Sequence, residues 1–595
     1  MNARDCYAAV MNISTNHGSD TLAGTRRVVP IAAEPVPRQP RFQPKGRQVR
    51  PVDRERVDVL CHGLEPRADL LIEHLHRLQD AEAALRKGHL AALAERLQLS
   101  QVEVFEVASF YHHFQVVEDE TDVPATVVRV CTSLSCAMAG GESLLADLQA
   151  CLGPQARAEA APCIGLCHGA PAACVGQRQL PQADVAAVQD LLVRGETGPR
   201  KLPAPVPSDL PRLRRLLSGE LTAESVLAEL KASGLRGLGG AGFPAWRKWE
   251  TVRAQPGPRH LVVNIDEGEV GTFKDWAVLT DPQAGALQML EGALIAAQVV
   301  GVERVWLYLR DEYHDARVHL TRALDLLQSV LTALGQAFPD YQVPAIELRR
   351  GAGAYICGEE SALIESLEGK RGMPRLKPPI VALQGVFGQP TLAHNLESLW
   401  WVPAILDRGG AWLAAQGRRG RSGLRRFSVS GRVNRPGVHL APAGITLREL
   451  VDEFAGGMAP GHELYAYLPG GASGGILPAR LADVPLDFDT LAEHGCFIGS
   501  MAVVVLSQHD RARDAALNLM QFFEHESCGQ CTPCRAGTTK AVQLLQAPVW
   551  DAALLGELSQ VMRDASICGL GQAAPNPVDS VLRFFAHEVN GEDAR

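Results

Sequence analysis

Three cysteines at two-residue intervals, Cys528, Cys531 and Cys534 in Cys-Gly-Gln-Cys-Thr-Pro-Cys, are followed thirty-four residues later by Cys568 in Ile-Cys-Gly-Leu-Gly. Three thiolates on one loop can turn inward onto a cubic cluster, and a fourth from a distant loop closes it. The set therefore reads as a [4Fe–4S] site in preference to zinc, which more often takes two separated pairs or a histidine. Pro533 and Gly529, Gly569 and Gly571 keep side chains away and leave peptide N–H groups for the sulfurs. A second set, Cys131-x4-Cys136 with Cys163-x3-Cys167, offers four thiolates in two pairs. That arrangement suits a [2Fe–2S] rhomb or a tetrahedral zinc. Cys151 and Cys174 lie beside it but outside the pairing and read as buried thiols.

A third feature is glycine-rich: Gly234-Leu-Arg-Gly237-Leu-Gly239-Gly240-Ala-Gly242-Phe243-Pro244, with Lys248 beyond. Such density lets backbone approach a phosphate or flat ring, although a flexible turn uses the same residues. It is not the G-x-G-x-x-G of a dinucleotide-binding turn. Asn264-Ile-Asp266-Glu267-Gly-Glu269 follows a strand, where open α/β sheets place ligand loops. Its carboxylates read either as a solvated turn or as partners for a flavin edge or ribose hydroxyls. Gly351-Ala-Gly-Ala-Tyr355-Ile-Cys357-Gly358-Glu359-Glu360 repeats that grammar. Cys357 reads as a packed thiol, because no histidine lies beside it to act as a base.

These residues sit in a chain of 595, large enough for about four domains at ~150 residues each. Against 67 Asp+Glu stand 58 Lys+Arg, a formal charge of −9 that excludes a dedicated nucleic-acid binder. The run Cys496–Leu506 falls well short of the roughly 20 apolar residues of a membrane span, so no membrane insertion and a cytoplasmic location are expected. Fourteen cysteines in a reducing compartment point to metal rather than disulfides. Helical spacing over Ala68–Phe114 predicts a small bundle, and a Val- and Thr-rich strand then runs into Cys131. Beyond a Pro-rich spacer, strands at His260–Asn264, Val305–Leu309 and Ala345–Leu348 alternate with helices, as in parallel βαβ construction. Short strands follow from Arg426 to Leu506, and the last ninety residues return to helix.

From about Ser233 to Val578 the sequence resembles the flavin- and NADH-binding (diaphorase) subunits of respiratory complex I, NAD-linked formate dehydrogenases and bidirectional hydrogenases. Leu70–Ala187, including Glu106-Val-Ala-Ser-Phe-Tyr111, resembles that family's thioredoxin-like [2Fe–2S] subunit. The resemblance implies a multidomain α/β protein: a disordered basic, Pro-rich arm over 1–52, a helical bundle and thioredoxin-like [2Fe–2S] domain over 53–194 and a linker over 195–212. A Rossmann-like FMN/NADH domain would span 213–425, a β-grasp domain 426–510 and a helical [4Fe–4S] domain 511–595. It further implies FMN on Gly237, Gly239, Gly240, Gly242, Lys248, Asn264, Asp266 and Glu269, with Asn395 and Ser398 near its phosphate. Glu359 and Glu360 would lie beside NAD, with Phe243 against its rings. Cys131, Cys136, Cys163 and Cys167 become [2Fe–2S] ligands, and the C-terminal four become [4Fe–4S] ligands.

The fusion looks most like the beta subunit of a soluble NAD-dependent formate dehydrogenase, whose molybdenum- or tungsten-type catalytic subunit is a separate chain; a hydrogenase partner is the alternative. Leu238 and Trp276 stand where the family has arginine, Thr251 and Ile380 where it stacks aromatics, and His394 where it has asparagine. A lost stacking face is worth about 0.5–1.5 kcal/mol. A relay that keeps flavin and clusters but no longer binds NAD is therefore a competing expectation.

Overall fold

The computed structural model describes residues 46–283 and 285–590. Of the arm expected over 1–52, residues 1–45 lie outside the described residues, and the remainder is ordered. Arg47 takes Gln101 and Asp119 as partners, and Pro51 opens helix α1 (Pro51–Leu60), where a missing N–H costs nothing. With α2 (Leu71–Glu82), α3 (Lys87–Leu97) and α4 (Gln101–Ala108) it forms the expected bundle. A Ser100/Glu103 capping box starts α4.

The next unit is a four-stranded sheet of β1 (Thr126–Cys131), β2 (Ala156–Ala161), β3 (Ala173–Val175) and β4 (Arg178–Leu180), in the order β2-β1-β3-β4. Only β1 and β2 run parallel. Cys131 ends β1, and the loop after β2 carries Cys163 and Cys167, so two neighbouring parallel strands deliver the paired cysteines to one edge. The Pro-rich spacer has no helix or strand between Gly195 and Leu210, yet it is pinned: Arg200 donates to buried Asp315 at 2.6 Å, and Leu210 is fully buried.

The following domain is built on β5 (His260–Ile265), β6 (Arg304–Leu309), β7 (Ala345–Arg350) and β8 (Thr391–Asn395), all parallel in the order β8-β5-β6-β7. Leu261, Val263 and Ile265 of β5 face one core and Val262 the other, the period-two burial of a sheet covered on both sides. Because β8 returns to pair beside β5, the crevice beyond Asn264 and Asn395 lies where strand order reverses, the usual ligand position in open α/β sheets. Next come β9 (Leu424–Gly431), β10 (Gly437–Pro442), β11 (Leu464–Leu468), β12 (Leu477–Pro478) and β13 (Ala502–Ser507). Their order, β10-β9-β13-β11-β12 with β9 and β13 parallel, is that of a β-grasp sheet. Helices α5 (Ala512–His525), α6 (Thr532–Leu545), α7 (Ala552–Ala565) and α8 (Asn576–Phe584) complete the described chain. No helix among the described residues is long and apolar enough to cross a membrane.

Charged side chains join the bundle to the α/β domain. Arg350, 8% exposed, donates to Asp80 at 2.6 Å and to buried Asp311 at 2.5 Å, and Asp311 also accepts from His113 at 2.7 Å. Its guanidinium, with His113, holds the Asp311 carboxyl well below its ordinary range despite burial. Removing a buried partner strands the other charge, so Arg350→Ala should cost about 3–5 kcal/mol, read as a lower denaturation midpoint with early proteolysis of the bundle. His314 beside this pair is pushed down to about 3 by burial. A histidine so depressed stabilises the fold above its unfolded value near 6.5, and that contribution drains away as pH falls from there towards 3. Urea midpoints measured down that pH range should decline accordingly.

Candidate functional site: two sulfur quartets and a glycine-lined cavity

The C-terminal quartet assembles around a small cavity lined by Cys528, Cys531, Cys534 and Cys568 with Ile356, Pro374 and Leu570. Cys531 is the N-cap of α6 and Pro533 sits in its first turn, so Cys534 enters already on the helix. Burial pushes the Cys534 thiol up to about 12 and Cys568 to about 11. Thiols so crowded are held as thiolates only by bound cations. Peptide N–H groups of Leu570 and Gly571 face the Cys568 sulfur. Of the three glycines singled out in the sequence, Gly529 takes φ +75°, and a Cβ on Gly571 would lie 2.8 Å from that of Cys534. Gly569 has open space and no such constraint.

The other quartet is drier. Cys131, Cys136, Cys163 and Cys167 are all buried, and the sulfurs of Cys163 and Cys167 stand 3.3 Å apart. Hydrogen bonds with Cys131 and Cys167 draw the Cys163 thiol well below its ordinary range, while Cys131, bonded to Cys136 and Cys163, and Cys167, bonded to Cys163, are pushed well above theirs. His168, next to Cys167, packs tilted against Phe273 and Trp276 with ring centroids 5.0 and 5.4 Å distant. Trp276 thus packs against the cysteine loop. Cys174 is buried as expected, whereas Cys151, at the end of a helix facing solvent, is exposed, correcting the expectation. Cys357 is buried with its thiol raised by desolvation, a packed thiol.

Between sheet and glycine run lies a cavity of about 490 Å³. The structure brings to its wall Gly237, Gly239, Gly240, Gly242, Phe243, Lys248, Asn264, Glu359, Glu360 and Asn395, ten of the thirteen residues singled out for cofactor contact. Arg236 and Pro244 bridge as antiparallel partners, turning the run between them into a loop. Gly240 has φ +131° and Gly242 +63°, and a Cβ at Gly242 would meet the Phe488 ring at 2.5 Å. Asn395 caps helix α9 (Leu396–Arg408) by accepting from Glu397 N–H at 3.0 Å, which aims a helix N-terminus at the cavity. Lys248 is half-buried there, its ammonium lowered by desolvation. Glu359 and Glu360 share Lys377 at 2.8 and 3.0 Å, a cation that no motif in the sequence had marked.

Three expected contacts stand behind the wall instead. Ser398 accepts from Leu238 N–H at 2.8 Å, pinning the glycine loop to α9. Glu269 accepts from the Ser473 peptide at 2.7 Å and from the Tyr355 hydroxyl, tying the acidic loop to the β-grasp domain. Asp266 is buried with one carboxylate oxygen unpartnered and its carboxyl raised well above the ordinary range by desolvation. Beneath the cap, Lys274 is 1% exposed and pairs with Asp275 at 3.2 Å and Glu397 at 3.0 Å; Asn395 donates to Asp275 at 2.6 Å.

The glycine cradle, helix N-terminus, lysine and flat mouth fit a phosphorylated planar ligand, and the all-thiol quartets fit iron–sulfur clusters. Comparison with known proteins agrees. Residues 230–404 match the Nuo51 FMN-binding domain, 514–592 the NADH-ubiquinone oxidoreductase-F iron-sulfur binding region, 58–195 the thioredoxin-like [2Fe-2S] ferredoxin and 426–477 the SLBB domain. An NADH-quinone oxidoreductase subunit of Rhizobium meliloti (strain 1021) is 39% identical over 385 residues, 63% of this chain and 90% of the relative. This chain belongs to the family of NADH-binding flavoprotein subunits. The mitochondrial NADH dehydrogenase [ubiquinone] flavoprotein 1 of Dictyostelium discoideum is 40% identical over 382 residues, 61% of this chain and 78% of that protein. A solved structure, NAD+-reducing [NiFe]-hydrogenase in the H2-reduced state, superposes with a TM-score of 0.77 at 32% identity, covering 89% of this chain and 94% of that one. This member of the flavoprotein family is thus an NADH dehydrogenase module of an oxidoreductase, with FMN, [4Fe–4S] and [2Fe–2S] domains in one chain.

Two variants separate the parts. Cys568→Ser should remove the [4Fe–4S] paramagnetic signal while leaving that of [2Fe–2S], and Cys131→Ser the reverse. Gly242→Ala, strained at positive φ and overlapping Phe488, should lower the flavin-to-protein absorbance ratio without loss of either cluster.

Proposed function

We propose that this chain is the diaphorase subunit of a soluble, cytoplasmic NAD-dependent formate dehydrogenase, working with a separate molybdenum- or tungsten-type catalytic subunit. FMN supplies, when bound, hydride exchange with NAD(H) and single-electron exchange with a cluster. The chain's own residues do the positioning. Gly237, Gly239, Gly240 and Gly242 let the loop lie flat against the ligand, Lys248 and the α9 N-terminus with Asn395 hold its phosphate, and Asn264 faces it from β5. Glu269 and Ser398 act through the loops they pin. Glu359 and Glu360, half-neutralised by Lys377, orient the nicotinamide nucleotide, and Phe243, 44% exposed at the mouth, offers it a ring face.

The observation that carries electron transfer is a shared loop. Gly358 lines the glycine cavity and Ile356 lines the C-terminal sulfur cavity. Two residues of chain span at most about 7 Å, so the two chambers are neighbours across one strand of backbone. Ile356, Pro374 and Leu570 line the sulfur side, where Cys534 is buried and Cys528, Cys531 and Cys568 are half-buried.

A second reading, the diaphorase of an NAD-reducing hydrogenase, is favoured by the superposition with that enzyme's structure. The complex purified from its native cells decides between them: formate-dependent NAD+ reduction with no hydrogen-dependent rate is expected, and the reverse would establish the hydrogenase reading. Thr251 and Ile380 line the cavity without an aromatic face. If that weakens dinucleotide binding, Ile380→Phe should tighten NADH by up to about tenfold, the equivalent of about 0.5–1.5 kcal/mol, in a fluorescence titration.

A further inference from the structure

We infer that Arg310, a side chain of the flavin-binding domain, sets the reduction potential of the [2Fe–2S] centre in the neighbouring thioredoxin-like domain; the inference rests on the assignment of Cys131, Cys136, Cys163 and Cys167 to that cluster. Arg310 follows β6 directly and is 5% exposed. It reaches across the domain boundary to donate from Nη2 to the main-chain oxygen of Cys163 at 2.7 Å. From Nη1 it donates to the carbonyl of Glu267 at 2.7 Å, and Nε and Nη2 each meet the Glu312 carboxylate at 3.1 Å. Its guanidinium also lies over the Tyr313 ring, 5.1 Å from the centroid. That ring occupies the space where a Cβ on Gly165, between the two cysteines, would sit, only 2.4 Å away. The fork is therefore fixed on every side, and its charge is permanent.

Cluster reduction takes up one electron and adds one unit of negative charge to the iron, sulfide and four thiolates. A fixed cation at the ligand loop, in surroundings that water does not screen, stabilises the reduced state more than the oxidised one and raises the potential. Glu312 opposes it, being the carboxylate in direct contact with Arg310. The potential of one domain's cluster is thereby written into a loop of the other, and only the assembled chain has it.

The test is a dithionite titration of the full-length, reconstituted chain with redox mediators, following both clusters by EPR. Arg310→Gln should shift the oxidised-to-reduced ratio of [2Fe–2S] at a given ambient potential about tenfold towards oxidised, about 59 mV lower for a one-electron couple. Arg310→Lys should remain near the parent, Glu312→Gln should move the potential upward, and the [4Fe–4S] potential should stay put in all three. A purely structural role predicts that Arg310→Gln and Glu312→Gln disturb the centre in the same direction, and that result, or an unmoved potential in Arg310→Gln, overturns the inference. Should Arg310→Gln lose iron, the other two variants still decide: an upward shift in Glu312→Gln beside an unmoved Arg310→Lys supports the inference, and an unmoved or lowered potential in Glu312→Gln overturns it. Absence of any [2Fe–2S] signal in the parent chain would overturn the cluster assignment itself, a separate failure.

Discussion

Four sulfurs brought together away from water repel one another as thiolates and waste their hydrogen-bonding capacity as thiols. Each quartet here is tolerable only with positive iron at its centre. Much of the architecture follows from that demand. Two parallel strands end side by side so that Cys131 and the Cys163–Cys167 loop converge, and a helix start presents Cys531 and Cys534 to Cys568. The rest of the chain closes these chambers to water and places a flavin-sized cavity beside them.

Closure is shared between domains rather than achieved within each. Arg310 and Tyr313 from the α/β domain seal the [2Fe–2S] loop, and Tyr355 takes Glu269 of its own domain and Glu526 of the C-terminal helices as partners, the latter through its peptide N–H at 2.8 Å. The Ile356–Gly358 stretch serves as wall for both the cluster and the cofactor cavity. Polar groups buried at such junctions are costly unless paired, and the pairing fixes how the domains meet.

Local chemistry was legible in the sequence. All eight cluster cysteines converge as their spacing suggested, and the glycine run forms a cradle because its positive-φ positions and close approaches demand glycine. The βαβ alternation and the switch to a strand-rich segment near Arg426 likewise correspond to sheets in the structure. What spacing could not reveal depends on contacts between distant segments. Asp266, Glu269 and Ser398 share motifs with cavity residues yet act from behind the wall, since only tertiary packing decides which side of a loop faces the ligand. Arg310, Lys377 and Glu397 carry charge in unremarkable stretches and acquire meaning only from their partners, which for Arg310 lie as far as 147 residues away and across a domain boundary.

The central claim is that one polypeptide exchanges electrons with NAD(H) at a flavin and with iron–sulfur clusters beyond it. Its most direct test is anaerobic addition of NADH to the reconstituted chain alone, with visible absorbance and EPR recorded together. The account predicts bleaching of the flavin band with appearance of a reduced-cluster signal. A chain whose spectrum ignores NADH while dithionite reduces flavin and clusters would contradict it.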